Sequence, residues 1–456
     1  MIKQHIKSFK PVQSHYSQRK APKKVFLPET LNAARMHEMF VNENQLRVSY
    51  NTYLEVFNKF NIGFGLPKSD TCGTCDAMKA NPTSSEEYYM HLSEAQMWYD
   101  FRSTIKKRSK KRRSKIQAIS FDYMKNLPLP HIRTNIVYYT RQLWYYVFGI
   151  HDFTTDAGTM YCYHEGEAKK GCCDVTSMLF HYLKSFKNEK KDELYLFSDG
   201  CPGQNKNHCM IYFSYMLVHV FRLYKSITHA FPIRGHSFLD NDTDFSNISK
   251  RVRLETIQTI EEWNHVIEAA RKKPSFEVVH PETSDFHDML SALQPYFLKT
   301  AKPALKLREI KMYRIRESTA DIEVKYQYDE KKWSTCTIRN RKKLPDELDL
   351  KLMYEEPISV RGSKITDLKK LLPFVKRENH PFYNDLISKY EEECRIQAEK
   401  LAAAKAAAKA AAESSETAKS PENTEAVLAT NDDSESEYEM LSVEEFYSDN
   451  SSGDEM

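Results

Sequence analysis

Residues 193–207 read ELYLFSDGCPGQNKN, and the rest of the fold can be worked outward from this stretch. Apolar Leu194 and Leu196 alternate with aromatic residues, and the run stops at Asp199, just before two glycines and a proline. This pattern predicts a buried strand that ends in a tight polar loop. The strand would fix the Asp199 carboxylate and the loop would expose it, so Asp199 is the first candidate functional residue.

The segments around this stretch predict a mixed sheet. Three strands come first and are followed by alternating helices and strands, which favours an antiparallel start and parallel crossovers later. That order is typical of an α/β fold of the ribonuclease-H-like kind, in which the first and fourth strands are neighbours. The predicted strands cover 116–123, 143–153, 159–164, 193–198 and 227–233, and the helices between them cover 174–183 and 209–224.

Several acids would converge in that sheet. Asp122 ends the first strand and would lie beside Asp199, while Asp174 on the first helix and Asp242 or Asp244 after the last strand could reach the same point. Clustered carboxylates repel one another unless cations bind between them, and oxygen ligands suit Mg²⁺ or Mn²⁺. Two such ions can promote attack on a phosphodiester. Each acid also has a simpler interpretation as a helix cap or a turn residue, most readily Asp174 and Asp244.

The N-terminal part, residues 1–105, predicts a helical module. Two short helices, with Ser49 as the N-cap of the second, resemble a helix-turn-helix that reads DNA, although helical hairpins are common. Cys72 and Cys75 follow at a spacing that chelates Zn²⁺, with His91 as the nearest further ligand and His5 and His15 as more distant candidates. A redox pair or unligated thiols are the alternatives.

Basic and polar residues supply candidate nucleic-acid contacts. The stretch 106–115, KKRSKKRRSK, predicts a linker that acts as a nuclear-import signal, a phosphate-binding patch or a solvated loop. The loop after Asp199 adds side chains that would contact phosphate or sugar, or would simply cap the next helix. His236, near the later acids, would orient a water or a phosphate. The candidate nucleic-acid ligands are Lys106, Lys107, Arg108, Lys110, Lys111, Arg112, Arg113, Gln204, Asn205 and Lys206.

Composition divides the chain into a basic body and an acidic tail. The whole chain carries +4, but residues 413–456 hold fourteen acids and one lysine, so residues 1–412 carry +17. This split favours nucleic acid as a partner. No apolar run long enough for a membrane span and no signal sequence are seen, and nine irregularly spaced cysteines fit a reduced intracellular protein. After the core, 116–255, we predict a helical and small β module at 256–384, an Ala-rich helix at 385–412 and a disordered acidic tail at 413–456.

Five long motifs invite a family comparison. Residues 121–132 (FDYMKNLPLPHI), 141–153 (RQLWYYVFGIHDF), 163–171 (YHEGEAKKG), 198–207 (SDGCPGQNKN) and 235–245 (GHSFLDNDTDF) resemble a broad family of transposon-derived animal proteins, mostly uncharacterised. That family is similar to DDE-type transposases with a ribonuclease-H-like core. The resemblance covers most of residues 1–385.

The resemblance places the family's acids on Asp122, Asp199 and Asp242, with Asp244 beside the last. Two departures stand out: Gly200 replaces a common Asn, and Asp174 replaces a Glu and is shorter by one methylene. The resemblance implies a nuclear DNA-binding transposase-like protein that cleaves or joins phosphodiesters with Mg²⁺ or Mn²⁺. The structural Zn²⁺ is predicted separately, from the spacing of Cys72 and Cys75. Self-association is a family-level expectation, and no membrane partner is expected. The alternatives are a domesticated, catalytically inactive DNA-binding protein and a ribonuclease-H-like nuclease.

Overall fold

The fold is of the mixed α/β class and is built around one large sheet. The chain divides into two compact units, Met1–Glu393 and Cys394–Met456, and every site discussed below lies in the first. The predicted acidic tail falls almost entirely outside the described residues. The computed structural model describes residues 1–9, 25–28, 31–64, 72–81, 86–185, 191–253 and 255–416.

Thirteen strands are assigned within these described ranges. Two of them pair with each other near the N-terminus, and eleven form the large sheet. The strands are β1 Val25–Leu27, β2 Ile62–Phe64, β3 Ile116–Tyr123, β4 Leu127–Leu129, β5 Leu143–Asp152, β6 Gly158–His164, β7 Glu193–Phe197, β8 Ser226–Ala230, β9 Glu277–Val279, β10 Phe297–Lys302, β11 Met312–Arg316, β12 Ile322–Lys325 and β13 Ser334–Arg339.

Some helices precede the large sheet in the chain, others lie between its strands in sequence and pack on its faces, and the last ones follow its final strand. They are α1 Ile2–Ser8, α2 Ala33–Asn44, α3 Tyr50–Phe57, α4 Gly73–Ala80, α5 Glu86–Ser109, α6 Cys172–Ser185, α7 His208–His219, α8 Asp240–Val252, α9 Ile260–Ala269, α10 Met289–Leu293, α11 Gly362–Leu371 and α12 His380–Glu416. The Ala-rich segment is therefore helical, as predicted. Among the described residues, no helix is both long and apolar enough to cross a membrane.

The centre of the sheet has the predicted strand arrangement. β3 pairs antiparallel with β5 on one side and parallel with β7 on the other. β5 pairs antiparallel with β6, and β7 pairs parallel with β8. The full order is β10-β13-β12-β11-β8-β7-β3-β5-β6-β9, with β4 attached to β5. The mixed topology expected from the order of elements is confirmed at this level.

The strands of the predicted C-terminal module do not form a module of their own. β11 pairs antiparallel with β8, and β12, β13 and β10 continue the same sheet outward. β9 adds to the opposite edge by pairing with β6. The physical reason is that β8 and β6 would otherwise present unpaired backbone groups, and a later strand satisfies them.

The predicted basic linker is also partly incorrect. Lys106–Ser109 form the last turn of α5, a helix whose Trp98 and Ile105 are buried against the sheet. Lys106 donates to Asp240 Oδ1 (2.7 Å) and lies 3.4 Å from Asp156. The basic stretch is therefore fixed to the core at its start, and the more exposed basic residues follow from Lys107 onward.

Strand alternation separates two apolar cores. Phe148 and Ile150 of β5 pack with α6 and α7 on one face, whereas Tyr145 and Val147 pack with α8, α9 and α11 on the other. Successive side chains of a strand point to opposite faces, so a central strand covered on both sides reads as an almost continuous apolar run. The N-terminal helices α1–α3 have a small core of their own around Phe40 and Tyr53.

Gly149 lets α8 approach the centre of the sheet. A Cβ at this position would lie 2.7 Å from Phe245 Cε1, an α8 atom buried against β5. We therefore expect Gly149→Ala to lower the free energy of unfolding by about 1–3 kcal/mol, as overpacking does. Chemical denaturation would measure this. An unchanged midpoint would show that α8 is not held this closely.

Candidate acidic site and metal centre

Asp122 and Asp199 lie side by side at the ends of two adjacent parallel strands. The register pairs Ser120 of β3 with Phe197 of β7, and two further residues along each strand bring Asp122 level with Asp199. Both carboxylates are half-buried. Because the two strands run parallel, the same edge of the sheet carries both acids.

Asp242 reaches this edge from α8. On its other side Asp122 pairs with Gly149 of β5, and Asn241 Nδ2 donates to the Gly149 carbonyl (2.8 Å). This bond, together with the missing Cβ at Gly149, fixes the first turn of α8 beside β3. Asp242 Oδ2 accepts from the Leu239 amide (2.7 Å), which orients the carboxylate within that turn.

The electrostatics show that the three acids interact. Burial raises the pKa of Asp122 well above its usual value, and the neighbouring charges of Asp199 and then Asp242 raise it further. Lys170 opposes this rise, and burial lowers the pKa of Lys170 itself. Lys170 Nζ donates to Asn126 Oδ1 (2.7 Å). This lysine, in the motif YHEGEAKKG, was not selected from the sequence although its charge acts on Asp122.

The raised pKa of Asp122 makes a stability prediction. The Asp122 carboxyl ionises at a lower pH in the unfolded protein than in the folded one. The free energy of unfolding therefore falls as pH rises from the unfolded-state pKa through the folded-state pKa. A neutral amide removes that penalty. We expect Asp122→Asn to raise the unfolding temperature of the metal-free protein at pH 7 and to leave it unchanged near pH 3. Calorimetry at both pH values measures the difference, and a lower unfolding temperature at pH 7 would contradict this account.

The loop after Asp199 hydrogen-bonds to the Asp199 carboxylate, so not all of its polar side chains point into solvent. Asn205 Nδ2 donates to Asp199 Oδ1 (2.6 Å), and the Cys201 amide donates to the same oxygen (3.1 Å). Asn205 is buried, so its predicted contact with nucleic acid is wrong. Lys206 Nζ donates to the Arg308 carbonyl (2.8 Å), and burial lowers the pKa of Lys206 to about 8. Gln204 remains partly exposed.

Asp174 lies apart from the acidic edge. Its Oδ1 accepts from Tyr354 Oη (2.7 Å) and its Oδ2 accepts from the Gly171 amide (2.6 Å). Helix α6 packs on the face to which Phe121 points, and strand alternation turns Asp122 toward the other face. The prediction that Asp174 joins the cluster is therefore wrong, and its carboxylate instead organises the start of α6.

Asp244 is likewise committed to a structural network. Its Oδ2 lies 2.7 Å from His151 Nδ1, and Arg271 Nη1 donates to its Oδ1 (3.0 Å). The side chain is completely buried. Of the two acids proposed after the last strand, Asp242 therefore faces Asp122, and Asp244 ties α8 to β5 and to Arg271.

The acidic cluster is wider than a site for one ion. In the described part of the chain, only two groups of three or more potential ligands have all their ligand atoms within 4.8 Å of one another, and neither contains these acids. Among the described residues, the hydrogen bonds to Asp122 and Asp199 are made to Oδ1 of each carboxylate. Two ions about 4 Å apart suit a wider set of carboxylates than one ion does.

The first of those two groups contains the predicted cysteine pair. Cys72, Cys75, His91 and His236 offer two thiols and two imidazoles, and three of the four side chains are buried. His91 Nε2 lies 3.2 Å from Cys72 Sγ and 3.0 Å from His236 Nε2, and Cys75 Sγ lies 3.4 Å from His236 Nε2. These separations lie at or a few tenths of an ångström below the ~3.3–3.8 Å edges of a tetrahedron with metal–ligand bonds of about 2.0–2.3 Å. The group could therefore hold a metal ion.

His236 completes this centre from the core, and its predicted role beside the acids is wrong. It follows β8, whereas Cys72, Cys75 and His91 come from α4 and α5 or their start, so the four ligands join the N-terminal helices to the sheet. Tyr99 Oη donates to the His236 carbonyl (3.0 Å). His5, a more distant candidate, instead contacts Tyr53 (2.9 Å), and His15 lies outside the described residues.

Gly235 makes the close approach of these segments possible. Its φ of +77° lies in the left-handed region, and a Cβ would fall 2.7 Å from Cys72 Cβ. Only glycine accepts both conditions without strain. In the sequence, the only signal for the position of His236 was therefore the adjacent glycine. A glycine indicates that another segment packs closely here, but not which segment.

The basic stretch is partly available to a polyanion. Lys107, Lys111, Arg112 and Arg113 are exposed. Arg108 Nη2 and Lys110 Nζ are also exposed but lie 4.0 Å from Glu193 and 3.6 Å from Asp156. Exposed ion pairs of this length contribute little stability, so most of the basic charge is free to contact phosphate.

Comparison with known proteins adds one match. A family model described as a domain of unknown function, DUF7869, matches residues 140–335, which is less than half of the chain. The match begins just before β5 and includes Asp199 and Asp242, whereas Asp122 and the Cys72–Cys75 pair lie before it. The chain matches no curated protein.

Proposed function

We propose that this chain is a transposon-derived, DDE transposase-like protein with a ribonuclease-H-like core. The observation that carries the proposal is the meeting of Asp122, Asp199 and Asp242. Two of these acids end the first and fourth predicted core strands, which are parallel neighbours, and the third comes from the helix after β8. The antiparallel start and parallel continuation of the sheet support the same fold.

Mg²⁺ or Mn²⁺ fits the acidic edge. The three carboxylates provide hard oxygen ligands. Burial first, and then the charges of Asp199 and Asp242, raise the pKa of Asp122, and a divalent cation would offset the repulsion between these charges. When bound, two such ions activate a water or a 3′-hydroxyl and stabilise the leaving oxygen. The chain's own contribution is to hold Asp199 through Asn205 and to supply, from Lys170, a positive charge that lowers the pKa of Asp122.

Zinc fits the Cys/His centre. Two thiols and two imidazoles at tetrahedral separations are the donor set of closed structural zinc sites. Because its ligands come from α4, α5 and the segment after β8, the ion would fasten the N-terminal helices to the core. Those helices include the α2–α3 pair, on which Asn51, Thr52 and Glu55 are exposed and could read DNA.

DNA is the proposed partner and the nucleus the proposed location. The exposed basic residues after α5 supply phosphate contacts, and the same stretch has the composition of a nuclear-import signal. Such contacts neutralise phosphates without reading sequence, so they would add affinity rather than specificity.

A second candidate is a domesticated DNA-binding protein that retains the fold without catalysis. It is favoured by the commitment of Asp174 and Asp244 to structural bonds. A ribonuclease-H-like nuclease would use the same acids but would not join strands.

One assay separates these candidates. The full chain is incubated with end-labelled duplex DNA in Mg²⁺, Mn²⁺ or Ca²⁺, with a second labelled duplex as target. Cutting in Mg²⁺ or Mn²⁺ together with joining to the target supports the transposase-like function, and cutting without joining supports a nuclease. DNA retardation with no cutting in any metal would overturn catalysis and favour the domesticated protein.

A further inference from the structure

Three cysteine thiols meet on the opposite face of the sheet from Asp122. Cys172 and Cys173 lie in the first turn of α6, and Cys209 lies in the first turn of α7. The three Sγ atoms are all within 4.8 Å of one another, and this is the second potential metal-binding group among the described residues. The sequence gives no hint of it, because Cys209 is separated from the other two by more than thirty residues.

Around the three thiols, the sulfur atoms are the main potential metal ligands. Cys173 and Cys209 are 6% and 1% exposed, whereas Cys172 is half-buried. Asp288 Oδ1 lies 3.7 Å from Cys173 Sγ, but it caps α10 by accepting from the Ser291 amide (3.1 Å) and is not a member of the group. Solvent can reach the cluster on the Cys172 side.

The charge pattern favours thiolates with a cation between them. Both helices begin at the cluster, and the positive end of a helix dipole stabilises a nearby thiolate. Three thiolates would repel one another, and a bound cation removes that repulsion. Thiolate ligands select soft ions such as Zn²⁺ and Cu⁺ over the hard ions expected at the acidic edge.

We propose that Cys172, Cys173 and Cys209 form a second metal site, which binds one soft d¹⁰ cation, Zn²⁺ or Cu⁺, through three thiolates. Zn²⁺ would take a solvent molecule as its fourth ligand on the Cys172 side, and Cu⁺ would be bound by the three sulfurs alone. This site is independent of the proposed catalysis and of the Cys72–Cys75 centre.

The position of the site gives it a structural consequence. Cys172 follows Lys170 by two residues, and the charge of Lys170 lowers the pKa of Asp122. Cys209 follows Asn205 by four residues, and Asn205 holds Asp199. A cation at the three thiols would therefore fasten the end of the loop that carries Lys170 to the end of the loop that carries Asn205.

The test is the metal content of the full chain, purified under reducing, oxygen-free conditions. In the His236→Ala background, where the other centre is removed, we expect one equivalent of Zn²⁺ or Cu⁺ by mass spectrometry and its loss in Cys209→Ser. Cys336→Ser, a buried cysteine in β13 outside the cluster, should retain it. Separate titrations of the metal-free protein with Zn²⁺ and with Cu⁺ decide between the two ions.

Two outcomes would overturn the proposal. One is a folded Cys209→Ser protein, judged by circular dichroism, that binds as much Zn²⁺ and Cu⁺ as its parent. The other is a fully reduced His236→Ala protein that takes up neither ion. A disulfide at Cys209 that persists in reductant would overturn the proposal in the same way. If Cys209→Ser does not fold, Cys172→Ser, which alters the most exposed of the three thiols, replaces it.

Discussion

Replacing Asp199 by Asn is expected to abolish metal-dependent DNA cleavage while leaving the protein folded. The amide keeps the size of the carboxylate and still offers an oxygen to Asn205 Nδ2 and to the Cys201 amide. It removes the negative charge that a divalent ion needs at the end of β7. Since even the outer partners of metal ligands contribute about 10–100-fold to activity or affinity, loss of this proposed ligand should reduce the cleavage rate by more than about a hundredfold.

The matched control is Asp385→Asn, an exposed acid on α12 that pairs with Lys389. It changes the chain's charge by the same amount and should cleave like the parent. A second measurement is DNA affinity, which should be nearly the same in both variants because Asp199 contributes to metal binding rather than phosphate contact. Full cleavage by a folded Asp199→Asn protein would exclude the proposed role of the acidic edge.

His236→Ala should remove one bound zinc ion and weaken the attachment of α4 and the start of α5 to the core, while the rest of α5 stays packed on the sheet. The imidazole is the only one of the four ligands that comes from the core, so its loss breaks the link that the ion makes to α4 and α5. A structural zinc contributes about 10–16 kcal/mol in isolated zinc-finger peptides. Part of that contribution should be lost here, as a large drop in unfolding temperature and faster proteolysis of α4 and the start of α5.

His265→Ala provides the comparison, because this histidine is exposed on α9 and away from the centre. It should keep both the zinc content and the unfolding temperature of the parent. Cys75→Ser should reproduce the effect of His236→Ala, since each removes one ligand from the same ion. If His236→Ala retained its zinc and Cys75→Ser lost it, the ion would be held locally by α4 and α5 alone, and the link to the core would be wrong.

Much of the core could be predicted because the relevant signals are local. The alternation at 193–198 and the break at Asp199 identified β7, and the order of elements predicted that β3 would be its parallel neighbour. Asp122 and Asp199 could be paired in this way because each ends an apolar strand, and parallel neighbours end at the same edge of a sheet. The alternative that the loop after Asp199 caps the next helix is confirmed at Asn207, whose Oδ1 accepts from the Met210 amide (3.0 Å).

Predictions failed where a side chain's role depends on which face or which partner it meets. Asp174 and Asp242 are both acids in the first turn of a helix, yet α6 and α8 lie on opposite faces, so only Asp242 reaches Asp122. Asn205 appeared to be an exposed polar residue, but the fold buries it against Asp199. β10–β13 appeared to be a separate module. The pairing of β11 with β8, which joins them to the large sheet, is set by contacts distant in sequence.

By itself, the sequence determined the mixed α/β class, the β3–β7 pair and the cysteine pair of the metal centre, since hydrophobic period and ligand spacing are encoded within a few residues. Only the tertiary structure decided that His236 completes that centre and that Cys209 joins Cys172 and Cys173. In both cases the last ligand comes from a segment distant in the chain. Its position is set by how helices pack on the sheet, and that packing leaves no local trace in the order of residues.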